Sequence, residues 1–423
     1  MLSCRLIQKK YLRGLLFILP VLGLAGCRTL TSIATTDLSQ SYNEKTAPDG
    51  FHCSVFNVND SISTAVTVFP YNRLGCSKPA KSGQNSRRFR LSFMLYNSFR
   101  DQHVLDTASF LFTDSLSVPP PLFSFRHNLK ASLGRNYILQ VKLTDLNAGT
   151  EFMLLQPFLK ENRFTASWFG FESASQGLLF TNCLDYNDKV RLIASDASLK
   201  SVRVHSFFRN FPPAIPPFSE EPRKPFDYLA DSSFSISIEN GLSGYFQIPR
   251  QGFYLFQADT ASANGITLFR NYVGYPKVTT PLRMVETLRY ITSAPEFRQL
   301  LSSPSQKIAV DSFWVAIAGG PDRAVELIQA YYQRIEEANR LFFSYCEGWK
   351  TDRGMIYIAF GPPNVVYRSD FQELWVYGEA NNYRSMRFVF EKVLNPFTGN
   401  DYILEHQTYY KDYWYNAVQK WRR

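Results

Sequence analysis

At Tyr275-Pro276 the hydrophobic period of this chain changes from two to about 3.6, which divides any fold it can adopt into a β part and a helical part. Ahead of that point short runs alternate or are β-branched: Cys53-Ser54-Val55-Phe56, Ala65-Val66-Thr67-Val68-Phe69, Phe89-Arg90-Leu91-Ser92-Phe93 and Tyr137 to Leu143. A second set follows in Val202 to Phe207 and Phe234 to Ile238, with Tyr245 to Ile248 and Gly252 to Phe256 predicted as a hairpin. An aromatic content of 16%, with 36 Phe and 24 Tyr, suits strands, because flat rings pack well on a pleated surface. Many short strands separated by polar loops predict two sandwich-like, immunoglobulin-like domains, over 49–147 and 148–272. No Cys-Trp-Cys spacing accompanies them, so the expectation is architectural. The Pro-rich stretch from Phe211 to Pro225 is extended and non-helical, a long loop or a docking peptide.

Beyond the change of period the pattern is α+β, over 273–423. Thr280-Pro281 opens a helix with Leu282, Val285, Leu288 and Ile291 on one face. Ser303 and Gln306 have capping-box spacing ahead of a helix that Gly319-Gly320 ends. Ala324, Ile328, Tyr331, Ile335, Ala338 and Phe342 draw one apolar stripe on a long helix from about Asp322 to Tyr345. Gly348 is then read as its C-cap, Trp349 as an anchor, and Thr351-Asp352-Arg353-Gly354 as a turn. Met355 to Phe360 is predicted as the first strand of a small antiparallel sheet, stopped by Gly361-Pro362-Pro363. Three more strands follow at Glu373–Tyr377, Met386–Phe390 and Asp401–Glu405, and a closing helix carries Tyr410, Trp414, Ala417 and Trp421 on one face.

The first 26 residues are predicted to be a targeting segment. Lys9, Lys10 and Arg13 precede an apolar run, Leu15 to Leu22, too short to span a bilayer as a stable helix. The run ends in Leu24-Ala25-Gly26-Cys27, which resembles a bacterial lipobox with Cys27 as the lipidated residue; an ordinary signal peptide with a chance cysteine is the alternative. Arg28 follows with no Asp beside the cysteine, which by resemblance to Gram-negative sorting points to the outer membrane, facing the periplasm. Residues 27–48, rich in Ser and Thr, are expected to be a flexible tether. Without the four basic residues of the first 26, 42 basic and 36 acidic side chains remain. That mild, dispersed excess excludes a nucleic-acid surface. Cys53 and Cys76 fall in one domain, as a disulfide or as small buried hydrophobes.

From Leu282 onward the chain resembles the GWxTD domain family, found mainly in envelope proteins of Bacteroidota and their relatives. The resemblance rests on Ala338-Asn339-Arg340, Gly348-Trp349-Lys350-Thr351-Asp352-Arg353-Gly354, Ile356-Tyr357, Gly361-Pro362-Pro363, Leu374-Trp375-Val376-Tyr377 and Phe388-Val389-Phe390. It implies an envelope compartment and a β-rich region ahead of the module, and it carries no established activity. The five histidines show no ligand spacing, and no phosphate loop or nucleophile elbow is present, so no cofactor, metal or catalytic residue is assigned. The motif residues Gly348, Trp349, Thr351, Asp352, Arg353, Gly354, Gly361 and Pro362 are read as structural or binding. Asp352 is expected to cap the turn, and Arg353 to pair with Glu347 or Glu373. Three readings compete. In the first, a non-catalytic, lipid-anchored protein binds an envelope protein or wall polymer through this module. In the second, Asp352 and a second carboxylate, Glu373 or Glu405, form a glycan hydrolase site. In the third, Trp349, Trp375, Tyr357 and Phe388 line a small-ligand groove.

Overall fold

A computed structural model describes residues 32–43, 50–75, 86–114, 120–184, 187–222 and 225–422. Cys27, the targeting segment and Cys76 lie outside the described residues. Cys53 is a free, buried thiol that accepts a hydrogen bond from Thr67.

The first β region is a sandwich. Strands β1 (His52–Asn57), β2 (Ile62–Pro70) and β5 (Leu122–Lys130) form one sheet in the order β1-β2-β5. Strands β3 (Arg87–Tyr96), β4 (Asp106–Asp114), β6 (Tyr137–Asp145) and β7 (Thr150–Phe158) form the other, in the order β4-β3-β6-β7. The chain changes sheets between β2 and β3, returns for β5, and crosses again to β6. That Greek-key path is the immunoglobulin-like arrangement, with the fourth strand added beside the third. Period-two alternation sends Val55, Phe69, Phe89, Leu91, Phe93, Leu139 and Val141 inward, all buried.

The second region has two sheets that share β13 (Ser232–Glu239). One runs β10-β17-β16-β12-β13, from β10 (Cys183–Leu184), β12 (Ser201–Phe207), β16 (Gly252–Gln257) and β17 (Ile266–Arg270). The other continues through β14 (Leu242–Ser243), β11 (Lys189–Ala194), β8 (Phe169–Ser173) and β9 (Gly177–Leu178), with β15 (Phe246–Gln247) on β11. The predicted hairpin does not form: β15 pairs with β11, while β16 pairs with β12 and β17. The Pro249-Arg250-Gln251 segment therefore carries the chain between sheets instead of reversing it within one.

The Pro-rich stretch is a loop strapped onto the C-terminal module. Phe211 and Phe226 stack among Phe253, Tyr345 and Phe397. Ala214 donates its N–H to the Lys350 carbonyl at 2.9 Å, and the Pro217 carbonyl accepts from the Gln407 N–H at 3.0 Å.

The C-terminal module begins with α1 (Pro281–Thr287), α2 (Ala294–Leu301), α3 (Gln306–Ala318) and α4 (Pro321–Leu341). The apolar stripe of α4 faces the core, with Tyr331, Ile335, Ala338 and the following Phe342 buried. Gly319, at φ 73°, closes α3 in the left-handed conformation. The capping box is Ser293 with Glu296, at the start of α2. Ser303 and Gln306 make none, because Ser305 is the N-cap of α3 and the Gln306 amide turns back to the Ser303 carbonyl.

The largest departure from expectation is α5 (Asp352–Phe360), a helix where a turn and a strand were predicted. Asp352 through Ala359 are all buried, and a helix apolar on every side belongs in the middle of a core. A continuous apolar run of this length has the same appearance in a central strand. The antiparallel meander instead begins at β18 (Val365–Arg368) and continues through β19 (Gln372–Tyr377), β20 (Met386–Lys392) and β21 (Tyr402–Leu404). Helix α6 (Tyr410–Trp421) closes the module, inserting Tyr410, Trp414, Ala417 and Trp421. No helix among the described residues is long and apolar enough to cross a membrane.

The expected tether also departs from a free linker. Over residues 32–43 it is docked, with Leu38 and Tyr42 in the core of the C-terminal module. Leu38 donates its N–H to the Val366 carbonyl at 2.8 Å, and Asp37 Oδ1 accepts from the Val366 N–H at 2.9 Å. Ser and Thr supply its polar face, but Ile33, Leu38 and Tyr42 supply enough apolar surface to dock it.

Candidate functional site: a buried polar knot around the glycine-tryptophan motif

The motif starts in a single 3-10 turn, Gly348–Lys350, laid against α4. A Cβ on Gly348 would stand 2.1 Å from the Ala338 carbonyl oxygen, so only glycine permits this approach. Trp349 is buried; its N–H donates to Asn339 Oδ1 at 3.1 Å and its carbonyl accepts from the Tyr290 hydroxyl at 2.8 Å. Thr351, not Asp352, is the N-cap of α5: its Oγ1 accepts from the Gly354 N–H at 3.0 Å and donates to the Gly348 carbonyl at 2.7 Å. Gly354, in the first turn of α5, is pressed onto the 3-10 turn, where a Cβ would clash with the Gly348 oxygen. Gly361, at φ 89°, ends α5, and its carbonyl accepts from the Tyr377 hydroxyl at 2.7 Å. Pro362 is exposed beside it.

The two ionisable motif residues point into the protein. Asp352 is 1% exposed, and its Oδ2 accepts from the Leu404 N–H of β21 at 2.8 Å. Its place in the first turn of α5 also sets the carboxylate at the positive end of the helix dipole. Arg353, equally buried, meets Glu373 Oε2 at 3.4 Å and donates to the carbonyl and Oδ1 of Asn400 at 2.8 and 2.6 Å. Its guanidinium lies 4.1 Å from the centre of the Tyr402 ring. Asn400 then donates to the carbonyls of Leu341 and Phe343, tying the β20–β21 connection to the end of α4.

Glu373, fully buried on β19, is the centre of the knot. Its carboxylate accepts from the Tyr42 hydroxyl and from Trp375 Nε1, both at 2.6 Å, and from Arg368 Nε at 2.8 Å. Arg368, directly opposite Glu373 in the β18–β19 register, also donates to the Tyr42 oxygen. Burial alone would raise the Glu373 pKa, but Arg368, Arg353 and the donors Tyr42 and Trp375 outweigh it and hold the carboxyl down at about 2. Burial pushes the Tyr42 hydroxyl well above its usual range, so it is a donor at any ordinary pH.

Of the two acids offered to Arg353, Glu373 is the one it meets; Glu347 pairs with Lys350 at 3.0 Å. Asp352 has no solvent-facing carboxylate beside it. Glu373 is enclosed by cations, and the exposed Glu405 is held by Gln407. Trp349, Tyr357, Trp375 and Phe388 are all core rings, so none lines a groove. Tyr42, Arg368 and Asn400 were missed in the sequence. The Arg368–Glu373 pair had a readable signal, opposite charges on either side of the three-residue connection between two strands; Tyr42, 331 residues from Glu373, had none. Among the described residues, no group of three His, Cys, Asp or Glu side chains is arranged to hold a metal ion.

One open depression of about 530 Å³ lies at the surface between the β19–β20 loop, the start of β20 and the first turn of α6. Tyr383, Arg384, Arg387, Tyr409 and Tyr413 form most of its wall.

Residues 252–423 match the GWxTD domain family, a match that reaches back over β16 and β17. No curated protein matches the chain.

Proposed function

We propose, on the premise that residues 252–423 are a GWxTD domain, that this is a lipid-anchored protein of the cell envelope whose C-terminal module holds a partner without catalysing a reaction. The anchor is Cys27, the membrane is the outer membrane on its periplasmic side, and the partner is another envelope protein or a wall polymer. Several acyl chains on one cysteine give stable attachment where a single chain is marginal.

The observation that carries this reading is the enclosure of the motif. General acid–base chemistry needs a carboxyl within hydrogen-bond reach of substrate, and paired-carboxylate hydrolysis needs two of them flanking the bond. Asp352 and Arg353 are instead used up inside the core, joining α5 to β21, β19 and the β20–β21 connection. The motif works as a joint, and the outer surface of the module is left for binding.

The test is in two parts. Cys27→Ser should abolish acylation, read by mass spectrometry of the mature N-terminus, and release the protein from the membrane fraction. Crosslinking of intact membranes should recover the wild-type protein joined to an envelope protein or to wall polymer. Recovery of the acylated protein without either would overturn the binding role.

A further inference from the structure

We infer that the surface depression beside α6 is a subsite for an anionic glycan strand, a wall polymer whose sugars, or the short peptides they bear, carry carboxylates. This rests on the binding role proposed above and names where the polymer would lie.

Contacts brace the floor and walls. Tyr409 packs at a tilt against the buried Tyr410, with ring centres 4.3 Å apart, and its hydroxyl donates to the Arg387 carbonyl at 3.2 Å. Tyr413 meets Tyr409 edge to face at 6.5 Å. On the other side Tyr383 is 84% exposed, and its hydroxyl oxygen accepts from Arg384 Nε at 3.0 Å. Arg387 donates to the Ala380 carbonyl at 3.0 Å, and Ser385 to that of Glu379 at 2.8 Å, so the loop holds both side chains in place.

Chemistry selects the occupant. The depression is lined by two arginines and no carboxylate, so it attracts negative charge. Guanidinium groups match carboxylates in a planar, two-point geometry. The exposed tyrosines offer flat faces with negative π density, which suit the C–H faces of pyranose rings. The site is also open rather than enclosed. A docked protein anchors its affinity in deep, desolvated pockets, whereas a polymer can lie across a shallow trough and gain strength by repetition.

The test is co-sedimentation of the full mature protein with purified peptidoglycan sacculi, and retention on polygalacturonate against neutral dextran. The wild type is expected on sacculi and polygalacturonate, not on dextran, with retention falling as salt rises. Arg384→Ala with Arg387→Ala should weaken binding about tenfold, and Tyr383→Ala about threefold, at unchanged melting temperature. Lys307→Ala, an exposed cation on α3 that pairs with Asp311, should change nothing. Sacculus binding that survives the double arginine variant would overturn this site while leaving the polymer-holding role intact. Equal retention on dextran, or binding confined to anionic phospholipid vesicles or to an acidic protein, would also overturn it.

Discussion

The first β-sandwich and the C-terminal module solve the same problem with different cores. In the sandwich, Phe69, Phe89, Phe93, Leu91 and Val141 meet through ring and aliphatic contacts, and the buried polar group of Asn57, Ser63 and Lys160 is set apart from them at one end of β1 and β2. In the module, comparable rings surround Glu373, Arg353, Arg368 and Tyr42, whose polar atoms must find one another inside the protein. An apolar core accepts many repackings of equal volume, whereas a buried polar network fails if one member is missing. The knot also joins distant pieces of chain: the N-terminal strap, α5, the β18–β19 hairpin and the β20–β21 connection all end on it. The motif residues of this module thus act first as assembly points.

The largest expected effect separates the two cores most sharply. Glu373→Ala leaves two guanidinium groups without their carboxylate and should cost about 3–5 kcal/mol by denaturant unfolding; a loss under about 1 kcal/mol would break the comparison. Acid should then weaken the knot. Glu373 has a folded pKa of about 2 against an ordinary 4.5, so its contribution is complete above pH 4.5 and drains away as pH falls toward 2, by order of 3 kcal/mol. Glu296, held down at about 2 chiefly by its hydrogen bond from Arg422, titrates in the same window. Hydrogen bonds also hold Asp101, Asp188, Asp196 and Asp231 in the β regions below the usual range, so the measurement is the difference between Glu373 and Glu373→Gln in a Glu296→Gln background. Tyr42→Phe removes a donor to a buried charge and should cost about 2 kcal/mol, although it lies more than 200 residues ahead of the family match. Thr351→Ala, which uncaps α5, should cost about 1 kcal/mol. In the sandwich, Leu91→Met keeps volume and should cost under about 1 kcal/mol, with no dependence on pH over the same range.

The parts legible in the sequence are those where one face is wet. Strands β1 and β3 alternate because one side of each meets the core, and α4 and α6 show their stripes for the same reason. Where an element is enclosed on all sides the periodic signal vanishes, and α5 was accordingly predicted as a strand. The strap at 32–43 was misread for the opposite cause: three apolar residues among serines and threonines carry no period. Within the site, the glycines were recognisable as special, but their reason, close approach of backbones at Ala338 and Gly348, is tertiary and invisible to local rules. Arg353 and Glu373 could be paired by charge; that Tyr42 completes them could not.

The central claim is that residues 37–43 belong with the core of the C-terminal module, held there by the knot, while Ile33 packs on the first sandwich. Amide hydrogen exchange at Leu38, whose N–H is bonded to the Val366 carbonyl, tests it most directly. The account predicts that this amide exchanges as slowly as those of α5 in the wild type and much faster in Glu373→Ala. Exchange at Leu38 at the rate of an unstructured peptide, while α5 stays protected, would contradict it.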